Sequence, residues 1–164
     1  MNSNLKKFVG LVIILTAPLV AVFAMTGPAA APMVHDAWVR ATAPHVTTAA
    51  IYLTLHNPGV TDQTLVRVSS PQARTLELHE TTTDAQGVSR MAPLKEVIIP
   101  AGGKVALTPG GKHIMVYGLA QALVPGQELP LRLEFASGPA THARVQIVPP
   151  DALGAKAADE HHHH

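Results

Sequence analysis

The chain has no cysteine at any of its 164 positions. That excludes thiol catalysis, thiol redox chemistry and Cys-ligated zinc. It also excludes the blue-copper electron-transfer site, which needs a thiolate beside two imidazoles. Charge is scarce too: Asp, Glu, Lys and Arg make up 14% of the residues, with 12 basic against 11 acidic side chains. Two of the basic ones, Lys6 and Lys7, stand before an N-terminal apolar run, so the remainder holds 10 against 11 and a net charge of −1. No basic stripe is left for nucleic acid, and no such partner is expected. Aromatic residues are 4% of the chain, and no convincing amphipathic helical period occurs.

What is present begins with a leader. Lys6 and Lys7, the apolar run from Phe8, and small residues near Val22-Phe23-Ala24 have the three-part form of a secretory signal over residues 1–24. The alternative is an uncleaved anchor. The 17 residues from Phe8 to Ala24 are short for a span and Pro18 interrupts them, so contact with the membrane is expected only through an uncleaved leader. Either way the rest is exported. Residues 25–33 read as a flexible lead-in, 34–148 as one domain large enough for its own core, and 149–164 as a polar tail.

The domain reads as strands broken by turns. AAIYLTLHN, QTLVRVSS, TLELHETT, LKEVIIP, KVALTP, KHIMVYGL, LPLRLEFA and HARVQIV alternate or are rich in β-branched residues. Between them lie Asn57-Pro58-Gly59, Asp84 to Gly87, Ala101-Gly102-Gly103, Pro109-Gly110-Gly111 and Pro125-Gly126, where proline and glycine preset turn geometry. The expectation is an all-β, antiparallel sandwich or barrel in a single domain. LAQAL at 119–123 has room for one helical turn at most.

The chemistry gathers at two histidines and two methionines. Met91 and Met115 are the methionines of the domain beyond residue 33, and the histidines outside the tail are His35, His45, His56, His79, His113 and His142. On the strand KHIMVYGL, His113 and Met115 share one face, roughly 6.6 Å apart, with Ile114 and Val116 on the other. His79 lies in TLELHETT, and Met91 lies beyond the turn at Asp84 to Gly87, so two hairpins can each contribute one His and one Met. Two imidazoles and two thioethers suit a soft, low-coordinate cation such as Cu(I). Oxygen-seeking Mg²⁺ or Ca²⁺ would be poorly served, and thioether is a poor ligand for Zn²⁺. Taken singly, each of these residues is more commonly a core filler or a hydrogen-bonded surface group. Trp38 and Tyr52 read as core or rim aromatics, His56 as a turn residue, His45 and His142 as structural, and Arg40 and Arg90 as surface charges.

The joint spacing is distinctive: His79-Glu80, ten residues, Met91, twenty-one residues, then His113-Ile114-Met115. It resembles the H(M)x₁₀Mx₂₁HxM signature of the periplasmic CuA copper chaperones, the PCuAC family. DAWVRATAP, AAIYLTLHN, GVSRMAPL, IPAGGKVALTPGGKHIMVYGL and LRLEFASG also read like that family, so the likeness spans about Val34 to Val148. It implies a cupredoxin-like fold holding one Cu(I) through His79, Met91, His113 and Met115. It further implies a non-enzymatic periplasmic role: delivery to the CuA-bearing subunit of cytochrome c oxidase, alongside a Sco-type thioredoxin-fold protein. Glu80 stands where the family often has Met. As the neighbour of His79 on a strand it should face the other way.

Three other readings address the same residues. A copper-buffering or tolerance protein without a dedicated recipient fits the same residues. A copper monooxygenase with a histidine brace would need His35 at a mature N-terminus, and cleavage after Val34 is poorly signalled. A purely structural module would bind no metal outside the tail. The tail ends in His161, His162, His163 and His164, which reads as native, because the chain retains its leader and four residues are short for an added tag. Its imidazole and carboxylate donors would favour Cu(II), Ni²⁺ or Zn²⁺, so a native tail could recruit oxidised copper, whereas an added tag would bind the same ions without meaning.

Overall fold

The computed structural model describes residues 30–152. Ten strands follow in order: β1 (Met33–Arg40), β2 (Thr48–His56), β3 (Gln63–Ser69), β4 (Ala73–Thr83), β5 (Ser89–Pro93), β6 (Val97–Ile99), β7 (Lys104–Leu107), β8 (Lys112–Leu119), β9 (Glu128–Phe135) and β10 (Thr141–Val148). No helical element lies between β1 and β10.

Period-2 alternation explains the strands. In β9, Leu129, Leu131, Leu133 and Phe135 turn inward, while Glu128, Pro130 and Arg132 stay in solvent. In β2, Ile51, Leu53 and Leu55 are buried, and Ala50, Tyr52, Thr54 and His56 take the outer face. Successive strand residues point to opposite faces, so burying one set places the other outside. The inward sets of nearly all strands merge into one core that includes Val39, Ile51, Leu65, Leu78, Ile114, Val116, Leu133 and Val145. Each fully buried aliphatic side chain contributes about 1.5–3 kcal/mol.

The strands form one hydrogen-bonded sheet in the order β5-β4-β8-β2-β1-β10-β9-β3-β6, with β7 also on β2. It curls around the core until β3 and β4 pack side by side, but these two share no ladder, so the barrel stays open there. All pairings are antiparallel except β1 with β10, which is parallel.

The expected turns fall between strands. Asn57 does the most at one of them: it is fully buried, its Nδ2 donates to the Thr61 and Ile99 carbonyls at 2.8 and 3.1 Å, and its Oδ1 accepts from Gly59 N at 3.0 Å. Several details differ from the sequence reading. β1 and β5 were not among the strands read from the alternation. LAQAL forms no helical turn: Leu119 closes β8 and the next residues bend away. His56 ends β2 rather than sitting in a turn. β7 and β8 are not a hairpin either. Both pair with β2, β8 along Thr48–Ile51 and β7 along Leu53–His56, because the Pro109-Gly110-Gly111 turn carries the chain from one half of β2 to the other. The leader 1–24, most of the lead-in and the four tail histidines lie outside the described residues. The strand that follows the lead-in begins at Met33.

Candidate metal centre

Three adjacent strands bring the motif residues together. The β4–β5 hairpin turns at Asp84, whose Oδ1 accepts from Val88 N at 2.9 Å and Gln86 N at 3.1 Å. Its Oδ2 accepts from Arg90 Nη1 at 2.8 Å. The Val88 amide, then the Arg90 guanidinium, hold this carboxyl below its ordinary value, against a smaller opposing effect of desolvation. The turn sets a register in which Met91 faces Thr81, two residues from His79 and therefore on the same face. On the other side of β4, His79 pairs with His113 and Glu77 with Met115. Met91, His79, His113 and Met115 thus share the outer face of β5-β4-β8, away from the core.

The closest approach is between His113 and Met91, with Nε2 3.2 Å from Sδ. The His113 Nδ1 atom is 2.9 Å from the Gly111 carbonyl, which can only accept, so Nδ1 carries the proton. In the neutral ring Nε2 then presents its lone pair toward the thioether. Two electron-pair donors face one another with no proton between them, an arrangement suited to a shared cation. The His79 ring lies beside that of His113, centroids 6.0 Å apart. Its Nε2–H donates to Glu77 Oε2 at 3.0 Å, while its Nδ1 is buried without a hydrogen-bond partner. A buried, unpartnered polar atom is costly unless something else engages it. Met115 joins the group through register, two residues beyond His113.

Exposure is uneven. His79 and His113 are 8% and 6% exposed, whereas Met91 is 53% exposed. The imidazoles are held and the thioether of Met91 lies open to solvent. Around them stand aromatic rings: Tyr52 at 6.2 Å from His113, Trp38 stacked on Tyr52 at 4.5 Å, and Tyr117 at 6.4 Å from His79. Burial raises the Tyr52 phenol, partly countered by Arg40. Glu80 lies apart from the cluster, its Oε1 accepting from Lys112 Nζ at 2.7 Å. Among the described residues no three His, Asp or Glu side chains converge to hold a metal, so any ion taken here depends on sulfur.

Sequence reasoning missed Glu77 and Gly111. The first was available in the pattern, since Glu77 and His79 are two apart on one strand and must share a face. The second was not, because it is a backbone carbonyl.

Comparison with known proteins agrees with this architecture. The profile of a family described as "LpqE-like: Putative lipoprotein LpqE-like" matches residues 33–147. A protein of Leifsonia xyli subsp. xyli, "Putative lipoprotein Lxx21020", is 36% identical over 115 residues, which is 70% of this chain and 68% of that one. "Uncharacterized protein RP573" of Rickettsia prowazekii is 33% identical over 91 residues, 55% of this chain and 50% of its own. Among solved structures, the apo PCuAC domain from PmoF1 superposes with a TM-score of 0.60 at 26% identity, covering 71% of this chain and 92% of that domain. The solution structure of CuI-DR1885 from Deinococcus radiodurans gives 0.58 at 27% identity, with 76% and 83% covered. The chain therefore belongs to the LpqE-like family, with the fold of the PCuAC domains the motif resembled.

Proposed function

We propose that this chain is an exported copper chaperone that holds one Cu(I) with His79, Met91, His113 and Met115 and passes it to a protein partner. The observation that carries the reading is the His113 Nε2 to Met91 Sδ approach of 3.2 Å, with Nδ1 tied to the Gly111 carbonyl. A related structure described as CuI-bound supports the choice of ion. So does the donor set: thioether sulfur favours Cu(I) over harder ions, and its donor strength does not change with pH. The recipient we propose is the CuA centre of cytochrome c oxidase, with a Sco-type protein working alongside.

Transfer by shared ligands needs one donor that can let go. Met91, half in solvent on the outermost strand, suits that step, while His79 and His113 keep the ion in place. A buffering protein without a recipient would gain from closing over its ion, so the open thioether favours delivery. The leader, the description of the family and the lipoprotein name of the Leifsonia relative support export. The tail histidines 161–164 are proposed as a separate Cu(II) site.

The test is an anaerobic Cu(I) titration against a competing chelator, using the full chain with His161→Ala, His162→Ala, His163→Ala and His164→Ala. One tight equivalent is expected, and Met91→Ala with Met115→Ala should abolish it. A tight equivalent that survives the double substitution would overturn the ligand set.

A further inference from the structure

The outer face that carries the four motif residues continues onto β2 and β1, where a second group of soft donors gathers. Met33 of β1 is the direct cross-strand partner of His56 of β2. His35 pairs with Thr54, and its ring centroid lies 6.1 Å from that of His56, at an interplanar angle of 38°. The His79–His113 pair has nearly the same relation, 6.0 Å and 38°. Met33 is 42% exposed and His35 is exposed as well. The group lies roughly 13 Å along β2 from Tyr52, whose ring flanks His113.

A backbone irregularity builds this arrangement. His35 and Trp38 are three residues apart, so a regular strand would send them to opposite faces. Between them the register slips: they oppose Thr54 and Tyr52, which are two apart, and Asp36 takes up the extra step with φ of +50°. A positive φ at a non-glycine residue is unfavourable, and a bulge of this kind re-aims a side chain. Here it brings His35 onto the face of Trp38 and His56. The same bulge lets Val34 and Val39 both face the core, so the aim of His35 is set together with the packing of β1, and the His-Met group depends on it.

We propose that Met33, His35 and His56 form a second Cu(I) site, weaker than the first and on the same sheet face. Two imidazoles and a thioether are again a soft donor set. Two features make it weaker. It is more open to water, and Lys104 of β7 is the other cross-strand partner of His56, placing a like charge beside any bound cation. A weak, open site on the approach to a tighter one would collect the ion and release it readily. The donors differ from those of the proposed chaperone site, so the two can be tested apart.

The experiment follows the imidazole ¹⁵N resonances of the full chain, with His161 to His164 each changed to Ala, as Cu(I) is added anaerobically. The first equivalent should shift His79 and His113. The second should shift His35 and His56, and leave the solitary His45 and His142 where they are. His56→Gln should remove the second set alone, Met33→Ala should push it to higher Cu(I), and Lys104→Gln should bring it to lower Cu(I). If the His35 and His56 rings do not respond to a second equivalent, or respond only in step with His45 and His142, the second site is overturned. Failure of the chaperone site is read on other rings, as a first equivalent that bypasses His79 and His113.

Discussion

The outer faces of the two halves of this sheet are used very differently. On β9 and β10 the outward side chains satisfy one another: Glu128 accepts from Arg144 Nη1 at 3.0 Å and from Gln146 Nε2 at 2.6 Å, and Arg132 Nη1 lies 3.3 Å from Glu134. On β4, β5 and β8 the outward positions hold His79, Met91, His113 and Met115, and one buried nitrogen has no partner at all. Both halves turn the same kind of aliphatic surface to the core. Folding constrains the inward residue of each pair, and the outward one is left free. One half uses that freedom for solvation, the other for donors with lone pairs to spare.

Breaking the inner face should have the largest effect. Leu133 of β9 is fully buried, and Leu133→Ala should cost about 2–5 kcal/mol in urea unfolding. Cu(I) binding per folded molecule should be unchanged, because the ligands lie in the other half. A fall in affinity equal to the fall in stability would mean that the two faces are not separable.

An intermediate effect is expected at Glu77. Its carboxylate orients His79 through Nε2, and losing such a partner commonly lowers metal affinity about 10–100-fold. Glu77→Ala should show that loss in a chelator competition with little change in unfolding midpoint, and Glu77→Gln should recover part of it. If Glu77→Ala binds Cu(I) as the parent does, His79 is held by its packing alone.

The smallest effect belongs to the solvated half. Arg144, then Gln146, hold the Glu128 carboxyl below its ordinary value. A carboxyl depressed in the folded state adds stability that is complete above its unfolded pKa and is lost as pH falls through the folded one. The side-chain ¹³C titration of Glu128 should therefore have a midpoint below that of a free glutamate, and Arg144→Ala should raise it. Exposed pairs of this kind add little, so the unfolding midpoint at neutral pH should barely move. An unshifted Glu128 titration would show that the pair does not persist in solution.

Much of this was legible beforehand, for reasons that can be located. The strand TLELHETT and the strand KHIMVYGL announce their buried faces through Leu76, Leu78, Ile114 and Val116, and the imidazoles fall between. β5 was not legible, since all five of its residues are exposed and it carries no burial pattern. It is held as a strand by its ladder to β4 and by the Asp84 turn. β1 was missed because its bulge breaks the alternation that reveals a strand.

The sequence by itself determined the composition of each face, the turns and the identity of the soft donors, because these depend on the chemistry of single residues and on a two-residue period. Only the tertiary structure decided which donors meet. The neighbours of β8 are β4 and β2, distant in the chain, and nothing local to any strand chooses its partner. Likewise, His35 reaches His56 only because a bulge reverses the parity of β1, a step that the period alone assigns to the other face.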